Sequence, residues 1–434
     1  MIENFKKSKL LLEEAKKIIP TASQTYSKSY RYFCEGAAPA FLDRGLRGHV
    51  WDIDGNEYID FVLGLGPITI GYHNDEVDTV VRNQLQKGII FSQPTVLEVD
   101  LARKLCGIIP CAEMVKFVKN GSDATTVAVR LARAFTGREV IACCGYHGYH
   151  DWYIATRDND KGIPESVKEL TCTFDYNDIA SLATVFDQNP NKVAAVILEP
   201  CQGEGPKDGF LEALKKMAHR NGALVIFDEV VSGFRMGIGG AQQVYGVTPD
   251  LSSFGKGMGN GLPISAVVGR ADILKLIDAG VFVSTTFGGD ALSLAGSLKT
   301  IEILERPSSF PHIHTLGQLW IDKVEKLIEV KGISEFVGLS GLTPHCGVVF
   351  RNIGSLLKTD LLSVYQQTLI QNGILSIGIN NFCLEHTKED VEKFIDAVDQ
   401  ALDITKEAVS KDSVEGLLKG KKIRPIFARR LEDK

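Results

Sequence analysis

The stretch Ser252-Ser253-Phe254-Gly255-Lys256-Gly257-Met258-Gly259-Asn260-Gly261 sets one lysine among four glycines, just after a run that reads as a buried strand. Glycine lets the backbone pass close to a bound group, and a lysine held partly from water has a lowered amine pKa and becomes a usable nucleophile. Two readings stay open on this stretch alone: a lysine that forms a Schiff base, or a glycine-rich surface turn carrying a solvated lysine. The sequence upstream decides between them.

From about residue 110 to 270, short apolar runs alternate with helical patterns. Runs at 114–118, 139–143, 193–198, 223–227 and 264–268 are rich in β-branched residues and bounded by turn formers, and helical spacing follows at 123–135 and 211–219. This order predicts an α/β fold with a mostly parallel central sheet covered by helices, in which ligands collect at the carboxyl ends of the strands. Chemistry is therefore sought just after each run.

The first run ends in Lys119-Asn120-Gly121-Ser122-Asp123-Ala124, where a helix start and a serine hydroxyl suit a phosphate; a plain helix cap by Ser122 is the simpler alternative. The second ends in Gly145-Tyr146-His147-Gly148-Tyr149-His150-Asp151-Trp152. There an aromatic ring can stack on a flat ligand and a histidine can orient it, whereas the spacing of His147 and His150 is not that of a helical zinc pair, so no metal is expected. Glu199-Pro200 closes the third run and Phe227-Asp228-Glu229-Val230 the fourth. A carboxylate at the end of an apolar strand is costly without a cation, so Asp228 asks for a positive partner unless it caps a helix. A phosphate cradle, a stacking aromatic, a buried carboxylate and a shielded lysine together meet the needs of pyridoxal phosphate.

The remaining chain sets limits. Its 434 residues exceed one compact core, and the change of pattern after about residue 310 predicts three parts: an N-terminal segment, 1–60, packing with a small domain; a large cofactor-binding domain, 61–310; and a small α+β domain, 311–434. Helical spacing runs over 3–19, 316–330 and 390–404, and strand-like pieces over 347–350 and 374–377. Trp51-Asp52-Ile53-Asp54-Gly55-Asn56-Glu57 looks like a calcium loop but reads better as a hairpin turning at Asp54-Gly55. A net charge of -6 and the absence of a long basic block argue against nucleic acid, and the lysine-rich 419–430 reads as solvated surface. Nine scattered cysteines read as reduced thiols. With no signal-peptide core at the N-terminus and no apolar run of membrane-spanning length, the expected location is the cytoplasm, with no membrane association.

At Asn120-Gly121-Ser122-Asp123-Ala124, Tyr146-His147-Gly148, Phe227-Asp228-Glu229-Val230-Val231-Ser232-Gly233-Phe234-Arg235 and Pro249-Asp250-Leu251 leading to Lys256, the chain resembles the class III pyridoxal-phosphate aminotransferases of fold type I. Within them it resembles the group around glutamate-1-semialdehyde aminomutase. The resemblance implies that Lys256 forms the Schiff base with the cofactor and shuttles a proton, and that Asp228 holds the pyridine nitrogen protonated. It implies that Tyr146 and Val230 face the two sides of the ring, that Gly121 and Ser122 bind the phosphate, and that His147 and Glu199 border the cofactor. It further implies a homodimer in which Thr286 completes the phosphate site of the partner.

Departures fall on the substrate side. Where the aminomutase carries Ser-Pro-Val-Arg, this chain has Ser23-Gln24-Thr25-Tyr26-Ser27-Lys28, and its late segment is the shorter Gly378-Ile379-Asn380-Asn381-Phe382-Cys383-Leu384-Glu385-His386-Thr387. The shorter form resembles members linked to amino-sugar and surface-polysaccharide pathways. Tyr26, Lys28, Arg31 and Glu204 are the candidate substrate contacts. The expected activity is amino transfer from an amino-acid donor, glutamate, to a polar carbonyl acceptor such as a keto sugar, with ping-pong kinetics. The alternative is aminomutase-type transfer within one substrate.

Overall fold

Seven strands form the central sheet of the computed structural model, which describes residues 1–424. They are β1 (Met114–Val118), β2 (Val140–Cys144), β3 (Thr171–Thr173), β4 (Val193–Leu198), β5 (Leu224–Asp228), β6 (Leu251–Phe254) and β7 (Ser265–Gly269), in the order β1-β7-β6-β5-β4-β2-β3. β7 alone runs against its neighbours on both sides; the four ladders from β6 to β3 are parallel. The run expected at 264–268 is thus the reversed strand, a direction that an apolar run does not encode.

Side-chain alternation explains why the sheet is buried on both faces. Ile141, Cys143, Ala195, Ile197, Ile226 and Val267 enter one core with Ala124, Val127, Ala128 and Leu131 of helix α1 (Gly121–Thr136). Val140, Ala142, Cys144, Val196, Leu198, Val225 and Phe227 enter the other, against Leu182, Phe186, Leu211 and Leu214. A strand with apolar residues at every position is what a sheet covered on both sides requires.

Among the described residues the chain divides into two compact units, Asp75–Phe310 around this sheet and a second made of Met1–Asn74 with residues 311–424. The second unit holds a four-stranded sheet (Leu42–Leu46, His49–Asp52, Glu57–Asp60, Ile374–Leu375) and a three-stranded one (Val337–Leu342, His345–Phe350, Ile379–Asn381). Long helices Ser309–Lys331 and Lys388–Ser410 bring Trp320 and Phe394 into a stack with Phe61, with ring centroids 5.4 and 4.3 Å apart.

The boundary therefore falls at residue 74 and not at 60. The segment beyond Asp60 bonds to the C-terminal chain: Phe61 N donates to Leu375 O, Asn381 N to Phe61 O and Leu384 N to Thr69 O. The hairpin is present, but His49–Asp52 and Glu57–Asp60 are joined by four residues, because the Asp52 carboxylate gathers Asp54 N and Asn56 N into a wider turn. Of the basic stretch 419–430, Lys419, Lys421, Lys422 and Arg424 pair with Glu3, Glu35 and Asp360; the part after residue 424 lies outside the described residues.

Candidate active site

Strand register decides which side chains meet. Leu198 of β4 pairs with Cys144 of β2 and with Phe227 of β5, and Ser253 of β6 pairs with Asp228. The residues that follow, Gly145 and Tyr146, Glu199, Asp228 at the tip of β5, and Lys256, therefore stand in one row at the carboxyl end of the sheet. β1 runs parallel to β6, since both are antiparallel to β7, so Lys119 to Ser122 leave the sheet on the same side.

Asp228 is 4% exposed. One carboxylate oxygen accepts from Val230 N at 3.1 Å, and the other lies 2.8 Å from His147 Nδ1. His147 Nε2 is 3.0 Å from Cys144 O, which can only accept, so that nitrogen carries a proton and the ring is fixed from both ends. Glu199 accepts from Tyr146 N at 2.9 Å. Burial first, and then the charge of Asp228, push its carboxyl pKa up, against the opposing pull of His147, the Tyr146 amide and Lys256.

Lys256 follows Gly255 into a short 3₁₀ turn, Lys256–Met258, with φ of 40°. A lysine in the left-handed region costs energy that the surrounding structure must offset, a feature that clusters at working sites. Burial lowers its amine pKa, the Glu199 and Asp228 carboxylates raise it, and the Arg235 guanidinium lowers it again; the net shift is downward.

Helix α1 opens with a capping box: Asn120 Oδ1 accepts from Asp123 N, and Asp123 Oδ2 accepts from Asn120 N. Ala124 N bonds to Asn120 O, which leaves the Gly121 and Ser122 N–H groups as the spare donors of the first turn. Ser122 Oγ accepts from Tyr149 N at 3.2 Å and keeps its own proton to donate. Two glycines hold this corner close. A Cβ at Gly148 would lie 2.2 Å from Ser122 Oγ, and one at Gly121 would lie 2.9 Å from Val230 Cγ1.

Residues 33–343 match the family described as aminotransferase class-III. This chain belongs to that family. The chain is 39% identical over 413 residues to a 3-aminobutyryl-CoA aminotransferase of Cloacimonas acidaminovorans (strain Evry), covering 93% of this chain and 98% of that protein. Its structure is similar to the FumI protein of Sphingopyxis sp. MTA144, solved with PLP (TM-score 0.85, 27% identity, 93% of this chain and 98% of that chain). It is also similar to an omega-transaminase from Sphaerobacter thermophilus (TM-score 0.83, 26% identity, 92% and 98%). The enzyme is thus a fold type I class III aminotransferase, and its cofactor is pyridoxal phosphate. The aminomutase subgroup is a finer assignment that the 39% relative does not favour.

The residues of this aminotransferase fit that group. Spare amides at the start of a 16-residue helix suit a phosphate dianion, Tyr146 is 49% exposed at the same end of the sheet, and a nearly buried carboxylate stands one strand from the lysine. Gly121, Ser122, Tyr146, His147, Glu199, Asp228, Val230 and Lys256 all lie at this end of the sheet. Thr286 is exposed on the loop before Asp290, which Lys119 ties to the turn at Asn120 by an ion pair. Glu204 is exposed on the loop after Glu199. Tyr26, Lys28 and Arg31 belong to the other unit, on two 3₁₀ turns, Tyr26–Lys28 and Tyr30–Tyr32.

Sequence reasoning gave no role to Arg235, which is 1% exposed, nor to Glu229, which is fully buried. Glu229 accepts from Ser232 Oγ, Ala241 N and Gln242 N and so binds the loop after β5 into a fixed shape.

Proposed function

We propose that this enzyme moves an amino group from an amino-acid donor, glutamate, to a polar carbonyl acceptor in two half-reactions. The observation that carries the proposal is the strand register, which pairs Asp228 with Ser253, three residues before Lys256, at the same end of the sheet as a helix start with spare amides. When bound, pyridoxal phosphate supplies an aldehyde that captures amines and a ring that takes up electrons. Gly121 and Ser122 hold the phosphate, and Tyr146 and Val230 hold the ring between them. Asp228, oriented by His147, keeps a proton at the ring nitrogen. Lys256 Nζ anchors the cofactor at rest and, once displaced by the donor amine, takes the proton from the substrate carbon and returns it. Its lowered amine pKa supports this role, because a neutral amine is needed for both tasks.

The acceptor reading with the widest support in the sequence is a keto sugar or similar polar ketone, since Ser23 to Lys28 offers hydroxyls and a tyrosine where the aminomutase has an arginine. A second reading, an acyl thioester with its carbonyl at the β position, is favoured by the 39% identity to a 3-aminobutyryl-CoA aminotransferase. Amino transfer within one substrate is the remaining alternative. The reading also includes a homodimer in cytoplasm, in which Thr286 reaches the partner's phosphate. Support comes from Phe282 and Phe287, 78% and 59% exposed on either side of it, and from a groove of about 630 Å³ lined by Val99, Phe117, Val283 and Thr285.

The test is to add glutamate to the holoenzyme and assay 2-oxoglutarate, then add candidate acceptors and watch the visible cofactor band return. Stoichiometric 2-oxoglutarate and recovery with a keto sugar or a 3-oxoacyl thioester support transfer between substrates. Turnover of an amino-aldehyde without any keto acid released supports the mutase alternative.

A further inference from the structure

We infer that Tyr153 and Arg157 are positioning residues that lock the peptide between Gly145 and Tyr146 and thereby set the tilt of the Tyr146 ring against the cofactor. The inference rests on the reading of Tyr146 as the stacking residue.

Gly145 has φ of 108°, a region where glycine can turn its peptide over with little penalty. Rotating the next peptide changes ψ of Gly145 together with φ of Tyr146, and any part of that rotation left uncompensated re-aims the Tyr146 Cα–Cβ bond and tilts its ring. The structure opposes it from both sides of one peptide unit. The Gly145 carbonyl accepts from Tyr153 Oη at 2.7 Å and from Arg157 Nη2 at 2.8 Å. The N–H of the same unit donates to the Glu199 carboxylate at 2.9 Å. A positive guanidinium therefore faces the negative end of the peptide dipole and a carboxylate faces its positive end, so turning the unit over would reverse both interactions at once.

Side-chain packing reinforces the lock. Arg157 also donates to Tyr153 Oη and lies over the Tyr153 ring, 5.0 Å from its centroid. Tyr153 is fully buried and meets Tyr146 edge to face at 5.5 Å and an interplanar angle of 83°. The ring of Tyr146 thus rests on one face of the clamp while its own backbone is held by the other end of the same side chain. Gly145 is obligatory in this arrangement, because a Cβ there would lie 2.5 Å from Glu199 Oε2 and 2.4 Å from Gln202 Nε2.

The experiment compares Tyr153→Phe, Arg157→Met and the double variant for pyridoxal phosphate affinity by equilibrium dialysis and for the induced circular dichroism of the bound cofactor. Each is measured in the natural background and with Tyr146→Ala. Arg157→Met is expected to weaken cofactor binding about tenfold, Tyr153→Phe somewhat less, and the double variant by less than the product, because both donors serve one oxygen. The induced signal in the visible band is expected to fall with them. In the Tyr146→Ala background these losses should vanish. Tyr153→Phe deletes a single oxygen and decides the matter if Arg157→Met does not fold. If Tyr146→Ala weakens cofactor binding but the clamp variants leave affinity and dichroism unchanged, or change them equally without Tyr146, the clamp is wrong and the stacking reading stands. If Tyr146→Ala itself has no effect, both fall.

Discussion

In the proposed mechanism Asp228 and Lys256 divide the electrostatic work between them, one at the tip of β5 and the other on the turn after β6. Asp228→Asn keeps the hydrogen-bond geometry toward Val230 N and removes the charge opposite the ring nitrogen; kcat should fall by about 10²–10³-fold in steady-state assays while the protein still binds cofactor. Gly121→Ala tests packing at the same spot. The new methyl group meets Val230 Cγ1 and should weaken cofactor affinity about tenfold, and adding Val230→Ala should recover part of the loss, a coupling readable in a double-mutant cycle. Lys256, Asp228 and Gly121 are legible in the sequence because each is an odd residue for its setting: a lysine among glycines, a carboxylate ending an apolar run, a glycine at a helix start. Tyr153 and Arg157 are not, because an aromatic residue on a short helix (Asp151–Ile154) and a basic residue just beyond it look like any other surface, and only the fold brings them back to Gly145.

Helix α1 begins at the turn proposed to hold the phosphate, and its firmness comes from the face it buries. Leu131 is fully buried among Ile141, Ala195 and Val267 side chains of the sheet. Leu131→Ala should cost about 2–5 kcal/mol in urea unfolding, from the lost transfer energy and the cavity left behind. Cofactor affinity of the folded fraction should change little, since the helix start is capped independently by Asn120 and Asp123. Strands β2, β4 and β5 are readable from sequence because apolar runs of five or six residues have few other uses, and β1 is readable despite Lys116 at its centre because β-branched and aromatic residues flank it. β3, Thr171–Thr173, is an edge of three residues and leaves no pattern to read. β6, the run read as a buried strand just before Lys256, is one although half its length is Ser252 and Ser253, both fully buried, which is a polar sequence in a buried place.

Across the whole chain, the N-terminal segment returns to the C-terminal one, and His386 sits at that junction. Its ring packs 4.4 Å from that of Phe61, and burial pushes its pKa down to about 4. The unfolded chain therefore binds a proton below the usual histidine value while the folded chain refuses it. Stability is fully present above that value and declines as pH falls toward 4, by a few kcal/mol in total. Urea unfolding at pH 7 and pH 5 should show this decline, and His386→Gln should flatten it. The boundary at residue 74 was not legible because hydrogen bonds such as Asn381 N to Phe61 O join segments more than 300 residues apart, and periodicity is a local signal. If Thr286 serves a partner's site, mixing inactive Lys256→Ala chains with weakened Thr286→Ala chains should create mixed dimers with one intact site, restoring activity above the sum of the two parents.

The covalent role proposed for Lys256 is the claim on which the other roles depend. Reducing the purified holoenzyme with borohydride and mapping the pyridoxyl group by peptide mass spectrometry should give one label, on the peptide containing Lys256, and none on the Lys256→Ala variant. A label on any other lysine, or an unmodified Lys256 in a protein that has taken up pyridoxal phosphate, would overturn it.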